Sequence, residues 1–504
     1  MKRGFDNEKY LKEQTDAITE RMQRIGGKLY LEFGGKLISD FHAARILPGF
    51  DPDVKMQLLS RFKDMAEIII CIYAGDIERK KIRADFGITY DEDTLRLIDR
   101  FTALGLAVAG VVITRYEGQP TAAQFARKLQ TRGIKVFMHQ ATKGYPNDVD
   151  TIVSEEGYGA NPYVPTTKPI VVITAPGPGS GKLATCLSQM YHEFKRGVQA
   201  GYAKYESFPV WNIPLKHPVN LAYEAATADL GDVNLIDHFH LEAYDERTVN
   251  YNRDLEAFPI LKRIITRITG AEDFYRSPTD MGVNRIGFGI VDDDVVRDAS
   301  CQEIIRRYFN YSCEAAQGGL DDTVPQRVVS IMNELGLSET DRVVVEPARQ
   351  AAADAQHKLG RDEGAAAAGC AITLPNGQIV TGKNSGLFHA EAAAVLNAIK
   401  ILAGIPDNID LLPRALISSL TDFKKEVLGQ DKLSLNLDET LIALTVSATT
   451  NPAAAAACAK LTELRGMEAH TSHIPTPSDS GAMRKLQINL TSDPVFSSKS
   501  LFEQ

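Results

Sequence analysis

Through the first third of the chain, short apolar runs bounded by Gly, Asp or Pro alternate with amphipathic stretches. EIIICIY, GLAVAGVVITRY, GIKVFMHQ and KPIVVITAPGPGSGK each read as a buried strand. The stretches between them have helical spacing. DEDTLRLIDRFTAL places Leu95, Ile98, Phe101 and Leu104 behind an acidic first turn, and TAAQFARKLQTRG closes on Gly133, a C-cap residue. This βαβ rhythm predicts a Rossmann-like α/β fold with a parallel sheet covered by helices. Right-handed crossovers then bring the C-terminal strand ends, and the loops after them, to one rim where ligands bind.

The segment GGKLYLEFGGKLISDFHAARILPGF carries Lys28, Lys36, His42 and Arg45 and has two readings, an anion-binding loop and a hairpin or edge element. Glycines and lysines alternating with apolar residues at strand spacing favour the second. Composition changes at QGGLDDTVPQ and at the Ala-rich residues 351–369, which predicts a domain over 1–325 and a smaller mixed α/β domain over 326–504. In the latter, CAITLPNGQIVTGK reads as a hairpin turning on Asn376 and Gly377. Asn451 and Pro452 open an Ala-rich helix running to Gly466.

With 504 residues, 44% hydrophobic and 24% charged, the chain exceeds one hydrophobic core and has apolar side chain enough to fold throughout. A net charge of -9 gives no electrostatic reason for nucleic-acid or membrane partners. The six cysteines lack C-x-x-C spacing, so no disulfide framework is legible. A charged N-terminus without an apolar signal core, and no apolar run of membrane-spanning length, point to a cytoplasmic protein. A homo-oligomer is expected only from the general frequency of oligomers.

The most informative segment is PIVVITAPGPGSGKLATCLSQMYHEFKRG, in which a strand feeds a glycine loop, a lysine and a helix with Leu187, Met190, Tyr191 and Phe194 on one face. That is P-loop order. Gly177, Gly179 and Gly181 allow backbone N–H groups to converge on phosphate oxygens, and Lys182 reaches the terminal phosphates. The pattern G-x-x-x-x-G-K-[ST] would need Gly at Pro176 and a hydroxyl at Leu183. Ser180 and Thr185 are the candidates for a magnesium-facing hydroxyl. A Gly-x-Gly-x-Gly spacing also admits a dinucleotide loop, but Lys182 stands where the third fingerprint glycine would pack the helix closely.

At this loop, and in FGGKLISDFHAARILPGF, KIRADFGITYDEDTLRLIDRF, VVITRYEGQP, HLEAYDERTVNYNRD and SPTDMGVN, the chain resembles a bacterial family of uncharacterised proteins, domain of unknown function 1846. Shorter fragments, IVTGKNS, EAHTSHI and MRKLQINLTSDP, extend the resemblance almost to the C-terminus. It implies a cytosolic bacterial α/β protein and assigns no residue a role.

Other candidates rest on the residues alone. In DVNLIDHFHLEAYDERT, Asp237 at the end of an apolar run would hold magnesium as a Walker-B-like aspartate. Lys216 and His217, between two prolines, and Arg115, directly after VVIT, would contact a second substrate. Arg79, Lys80, Lys81 and Arg83 read as a solvated face rather than an anion site. Ser277, Thr279, Asp280 and Asn284 read as a polar turn. His389 and Glu391 mimic a zinc deaminase after a hairpin, but no downstream thiolate pair completes that site, so no zinc is expected.

The leading expectation is an enzyme that binds ATP or another phosphorylated small molecule, with magnesium, at Gly177–Lys182 and performs phosphoryl transfer or ATP-coupled ligation. The alternatives are a non-catalytic metabolite sensor or scaffold using the same loop, and a dinucleotide-dependent oxidoreductase.

Overall fold

The computed structural model describes residues 3–83, 87–272, 274–359 and 367–497. Residues 360–366 of the Ala-rich segment lie outside the described residues. The chain divides into two compact units, Met1–Ser300 and Cys301–Gln504. The residue 325 at which composition shifts falls in the first turn of the helix Thr323–Leu335. Among the described residues no helix is long and apolar enough to cross a membrane.

In the first unit, Lys28–Phe33 (β1), Ala66–Tyr73 (β2), Ala107–Thr114 (β3), Val136–Met138 (β4), Ile170–Thr174 (β5) and Ala200–Tyr205 (β6) form one six-stranded sheet. Its order is β4-β3-β2-β5-β1-β6, and every neighbouring pair is parallel. The four apolar runs are β2 to β5. β5 is buried along its whole length, as a strand covered on both faces must be.

The glycine- and lysine-flanked KLYLEF is neither hairpin nor edge: it is β1, an interior strand between β5 and β6. Its alternation misleads because the polar groups of Lys28, Tyr30 and Glu32 are all engaged within the fold. Glu32 accepts a hydrogen bond from the Tyr202 hydroxyl at 2.8 Å, and the Tyr30 hydroxyl donates to Glu193 at 2.7 Å. The preceding Gly26 ends the helix Asn7–Ile25 (α1) in the left-handed region at φ 68°.

Helices Tyr90–Ala103 (α2), Pro120–Thr131 (α3) and Lys182–Lys195 (α4) connect the strands. A capping box between Thr89 and Glu92 starts α2 one residue before Tyr90. The inward face then follows Tyr90 at helical intervals as Thr94, Leu97, Ile98 and Phe101, and Leu104 turns outward. α4 buries Cys186, Leu187, Met190 and Tyr191 in one core with Ile69, Cys71, Val171 and Ile173, and Phe194 packs at its margin. The alternate strand positions Ile68, Ile70, Ile72, Ile170 and Val172 are buried outside that cluster, on the opposite face of the sheet.

A separate ribbon of the first unit pairs Asn234–Ile236 (β7) with Val249–Tyr251 (β8). In the second unit, Gly369–Thr373 (β9), Ile379–Lys383 (β10), Glu468–Thr471 (β11) and Asn489–Ser492 (β12) form a mixed sheet in the order β10-β9-β11-β12. β9 and β10 are the hairpin carrying Asn376 and Gly377, the latter at φ 85°. Asn451 caps the Ala-rich helix as expected, accepting from Ala453 N and Ala454 N. That helix ends at Cys458; a separate 3-10 turn, Leu461–Leu464, carries the chain to Gly466.

One buried charge braces β1 against α4. Glu193 Oε1 accepts from Lys28 Nζ at 2.7 Å and from the hydroxyls of Tyr30 at 2.7 Å and Tyr163 at 2.8 Å. Burial works against the charged form, but these donors outweigh it and hold the Glu193 carboxyl below its ordinary value of 4.5. Its contribution to stability is therefore complete above pH 4.5 and is lost as pH falls through the lower folded value. Lys28→Met should cost about 3–5 kcal/mol in urea unfolding at neutral pH, because it strands a buried carboxylate. The same variant should show a shallower loss of stability on acidification; an unchanged acid limb would remove Lys28 from this role.

Candidate functional site

Strand order sets where the site lies. From β2 the chain moves outward through β3 to β4, whereas from β5 it passes through α4 to β6 on the opposite side. The connections leaving β2 and β5, which are neighbours, thus diverge. Such a divergence opens a crevice at the C-terminal rim. The glycine loop is the connection leaving β5.

In that loop Gly179 and Gly181 lie in the left-handed region, at φ 71° and 84°. Space matters as well as conformation. A Cβ on Gly177 would come 2.2 Å from the Tyr90 hydroxyl oxygen, and one on Gly181 would come 2.9 Å from Thr114 Cγ2. Neighbouring rim residues hold the loop by its carbonyls. Thr114 Oγ1 donates to Ser180 O at 2.9 Å, and Arg115 Nη2 to Gly179 O at 2.5 Å. The Arg115 guanidinium also stacks 3.6 Å from the centroid of the Tyr73 ring.

With the carbonyls engaged, the amides are left over. Thr185 N, bonded to Gly181 O at 3.0 Å, is the first N–H of this segment with an acceptor; among the described residues none is found for the backbone N–H groups of Gly179 to Ala184. Lys182, the first residue of α4, is half-buried. Its ammonium makes no hydrogen bond or ion pair with the described residues.

The structure therefore gathers Gly177, Gly179, Gly181, Lys182 and Arg115 at one rim. It spends the two candidate hydroxyls on the backbone. Ser180 Oγ donates to Gly177 O at 2.9 Å and is buried, and Thr185 Oγ1 donates to Gly181 O at 3.0 Å while accepting from Cys71 Sγ at 3.4 Å. Burial pushes the Cys71 thiol up to about 12, against the Thr185 hydrogen bond and the Lys182 charge, so it is no nucleophile at neutral pH.

Asp237, Lys216 and His217 are positioned by other elements. Asp237 follows Asn234–Ile236 (β7), which pairs antiparallel with Val249–Tyr251 (β8) in a ribbon separate from the six-stranded sheet. It is fully buried as the N-cap of the helix His238–Tyr244. One oxygen accepts from His240 N at 3.0 Å, the other from Thr279 N at 3.1 Å and Thr279 Oγ1 at 2.6 Å. His217 caps the helix Pro218–Ala226, with Nε2 2.9 Å from Asp293 Oδ1, and Lys216 is exposed. A Walker-B-like role needs a strand beside β5, which β7 is not.

Of the polar turn, Thr279, Asp280 and Asn284 line a cavity of about 300 Å³ together with Arg21, Lys204, Glu206, His240 and Asp254. Lys204 Nζ donates to Asp254 at 2.6 Å and to the Tyr251 hydroxyl, and pairs with Glu206 at 2.9 Å. Burial opposes its charge, but Asp254 and Glu206 hold the ammonium above its ordinary value. The sequence did carry a sign of this trio, a lysine within the otherwise apolar strand AGYAKY; its carboxylate partners come from β6's own loop and from a helix fifty residues on. Tyr73, Tyr90 and Thr114, which shape the glycine loop, were not legible at all, since each lies on a different strand end or helix start.

Gly181→Ala should destabilise the protein more than Gly179→Ala. Both force a side chain into the left-handed region at about 1–2 kcal/mol, but only Gly181 has the Thr114 side chain within 3.0 Å of the new Cβ. Equal melting temperatures for the two variants would mean that Thr114 yields freely.

The description "Domain of unknown function DUF1846, N-terminal" matches residues 3–336, and its C-terminal counterpart matches residues 340–502. A UPF0371 protein of Clostridium botulinum (strain Alaska E43 / Type E3) is 57% identical over 502 residues, covering 100% of this chain and 99% of that relative. One from Clostridium tetani (strain Massachusetts / E88) is likewise 57% identical over 502 residues, with the same coverage.

Proposed function

The chain belongs to the family of Domain of unknown function DUF1846, and on that premise we propose that its N-terminal unit binds a phosphorylated small molecule, with a phosphate group seated on the loop Gly177–Lys182. The observation that carries this reading is the run of backbone N–H groups from Gly179 to Ala184 without acceptors among the described residues. Any helix leaves its first N–H groups without intrahelical acceptors, and here the amides of the glycine loop add to those of Lys182 to Ala184 at one rim. Six successive amides ending in a helix N-terminus suit an anion of several oxygens better than a neutral group.

Lys182 adds a full charge beside the partial charges of the amides. Arg115 serves a different end: stacked on Tyr73 and bonded to Gly179 O, it fixes the loop. Ser180, Thr185 and Asp237 are all engaged within the fold, so the reading rests on phosphate contacts and not on a protein-held magnesium. ATP and simpler phosphorylated metabolites satisfy it equally. The dinucleotide reading is less well supported, because Lys182 occupies the position at which its third glycine would pack.

Isothermal titration with ATP, and with pyrophosphate as a ligand lacking the base, tests the proposal. Lys182→Ala should weaken binding of whichever ligand binds by about ten- to a hundredfold, the loss of one charge-assisted contact of about 1.5–3 kcal/mol. The melting temperature of the free protein should hardly move. Equal affinity in wild type and variant would take Lys182 out of the site, and absence of binding by either ligand would sink the assignment for both.

A further inference from the structure

Far along the chain from the glycine loop, the second unit brings together side chains from three separate segments. His389 precedes the helix Ala390–Leu402 as its N-cap, and Glu391 lies in the first turn of that helix. Asp479 lies in the first turn of the helix Pro477–Lys485. The ligand-capable atoms of these three residues lie within 4.8 Å of one another. His473, just after β11, adds a second imidazole, with Nε2 3.5 Å from Glu391 Oε1.

Two features separate this group from an ordinary polar network. First, Glu391 is fully buried, and its accounting does not close: Oε1 accepts from Thr471 Oγ1 at 3.0 Å, but Oε2 is buried with no hydrogen-bond partner among the described residues. Buried carboxylate oxygens are rarely left so. Second, a second carboxylate, Asp479, is nearly as buried and is held in place from behind. Leu437 N donates to its Oδ1 at 2.7 Å, and Thr476 Oγ1 to its Oδ2 at 2.6 Å. His389 Nδ1 lies 2.7 Å from that same Oδ2. Two buried carboxylates at close quarters call for positive charge.

We propose that His389, Glu391 and Asp479, with His473 as a fourth donor, bind a divalent first-row transition cation of the zinc or manganese type. Imidazole and carboxylate donors in this mixture suit such ions, whereas magnesium and calcium prefer oxygen alone. The backbone and hydroxyl donors to Asp479, and Thr471 to Glu391, are the outer contacts that orient metal-binding carboxylates. The His389 side chain keeps 23% of its surface exposed, which gives the ion a way in and leaves room for a water ligand. The set differs from the deaminase arrangement, which needs thiolates: here the carboxylate of Asp479 takes their place.

The full-length protein, stripped with chelator and dialysed, should bind one equivalent of Zn²⁺ or Mn²⁺ in calorimetric titration and melt at a higher temperature with the ion than without it. Mg²⁺ should bind far more weakly. Glu391→Gln and His389→Gln should each weaken binding by at least about tenfold, since the loss of an outer contact alone costs that much. Wild-type binding no tighter than that of the two variants would overturn the proposal. In case a variant folds poorly, Co²⁺ added to the wild type gives an independent reading: a ligand-field absorption band that Zn²⁺ displaces is expected, and its absence would also overturn the site.

Discussion

The architecture of the first unit depends on one placement, the late strand Ile170–Thr174 inserted between two strands that precede it in sequence. A strand in that position is covered on both faces and must be apolar throughout, as IVVIT is. Its entry is fixed by a buried acceptor on β2: Glu67 Oε1 takes hydrogen bonds from Thr167 N at 2.5 Å and Lys168 N at 2.7 Å. Its exit is fixed by the rim residues Tyr90 and Thr114, which approach Gly177 and Gly181 so closely that no side chain fits at either. Because connections diverge on either side of this strand, the loop leaving it faces the crevice between them.

The polar residues around this frame divide by how their hydrogen bonds are used. Ser180, Thr185, Asp237 and His217 have the chemistry of ligands or catalysts, yet each is bound up in capping a helix or pinning a carbonyl. A buried donor or acceptor must find a partner, and the fold claims the nearest. Among the groups left without a partner in the described residues are the amides of the glycine loop and the ammonium of Lys182 in one unit, and Glu391 Oε2 in the other.

The second unit uses charge differently. Arg342 is buried beneath β11 and β12, where its guanidinium donates to Thr491 Oγ1 at 2.8 Å, Asn489 O at 2.8 Å and Ala469 O at 3.0 Å and pairs with Glu468. Burial pushes this arginine down to about 10, against the opposing pull of Glu468, and it still carries its charge at neutral pH. One planar group with donors on several edges thus ties two strands that have no hairpin between them.

The sequence by itself determined the elements: the four apolar runs, the glycine turn before α4, the hairpin at Asn376 and Gly377, and the cap at Asn451 are all local signals, written within a dozen residues of where they act. It also singled out Lys182, because strand, glycines and helix are contiguous. It misread KLYLEF, whose Tyr30 and Glu32 are buried against partners 163 and 170 residues away. It also paired Asp237 with the glycine loop on the strength of a strand end that belongs to another sheet. Only the tertiary structure decided which strands are neighbours, which hydroxyls were already spent, and that Asp479 stands 2.7 Å from His389 across 90 positions of chain. Periodicity and turn chemistry act between near neighbours in sequence, whereas hydrogen-bond satisfaction and charge pairing act through space, and no local pattern encodes which distant partner arrives.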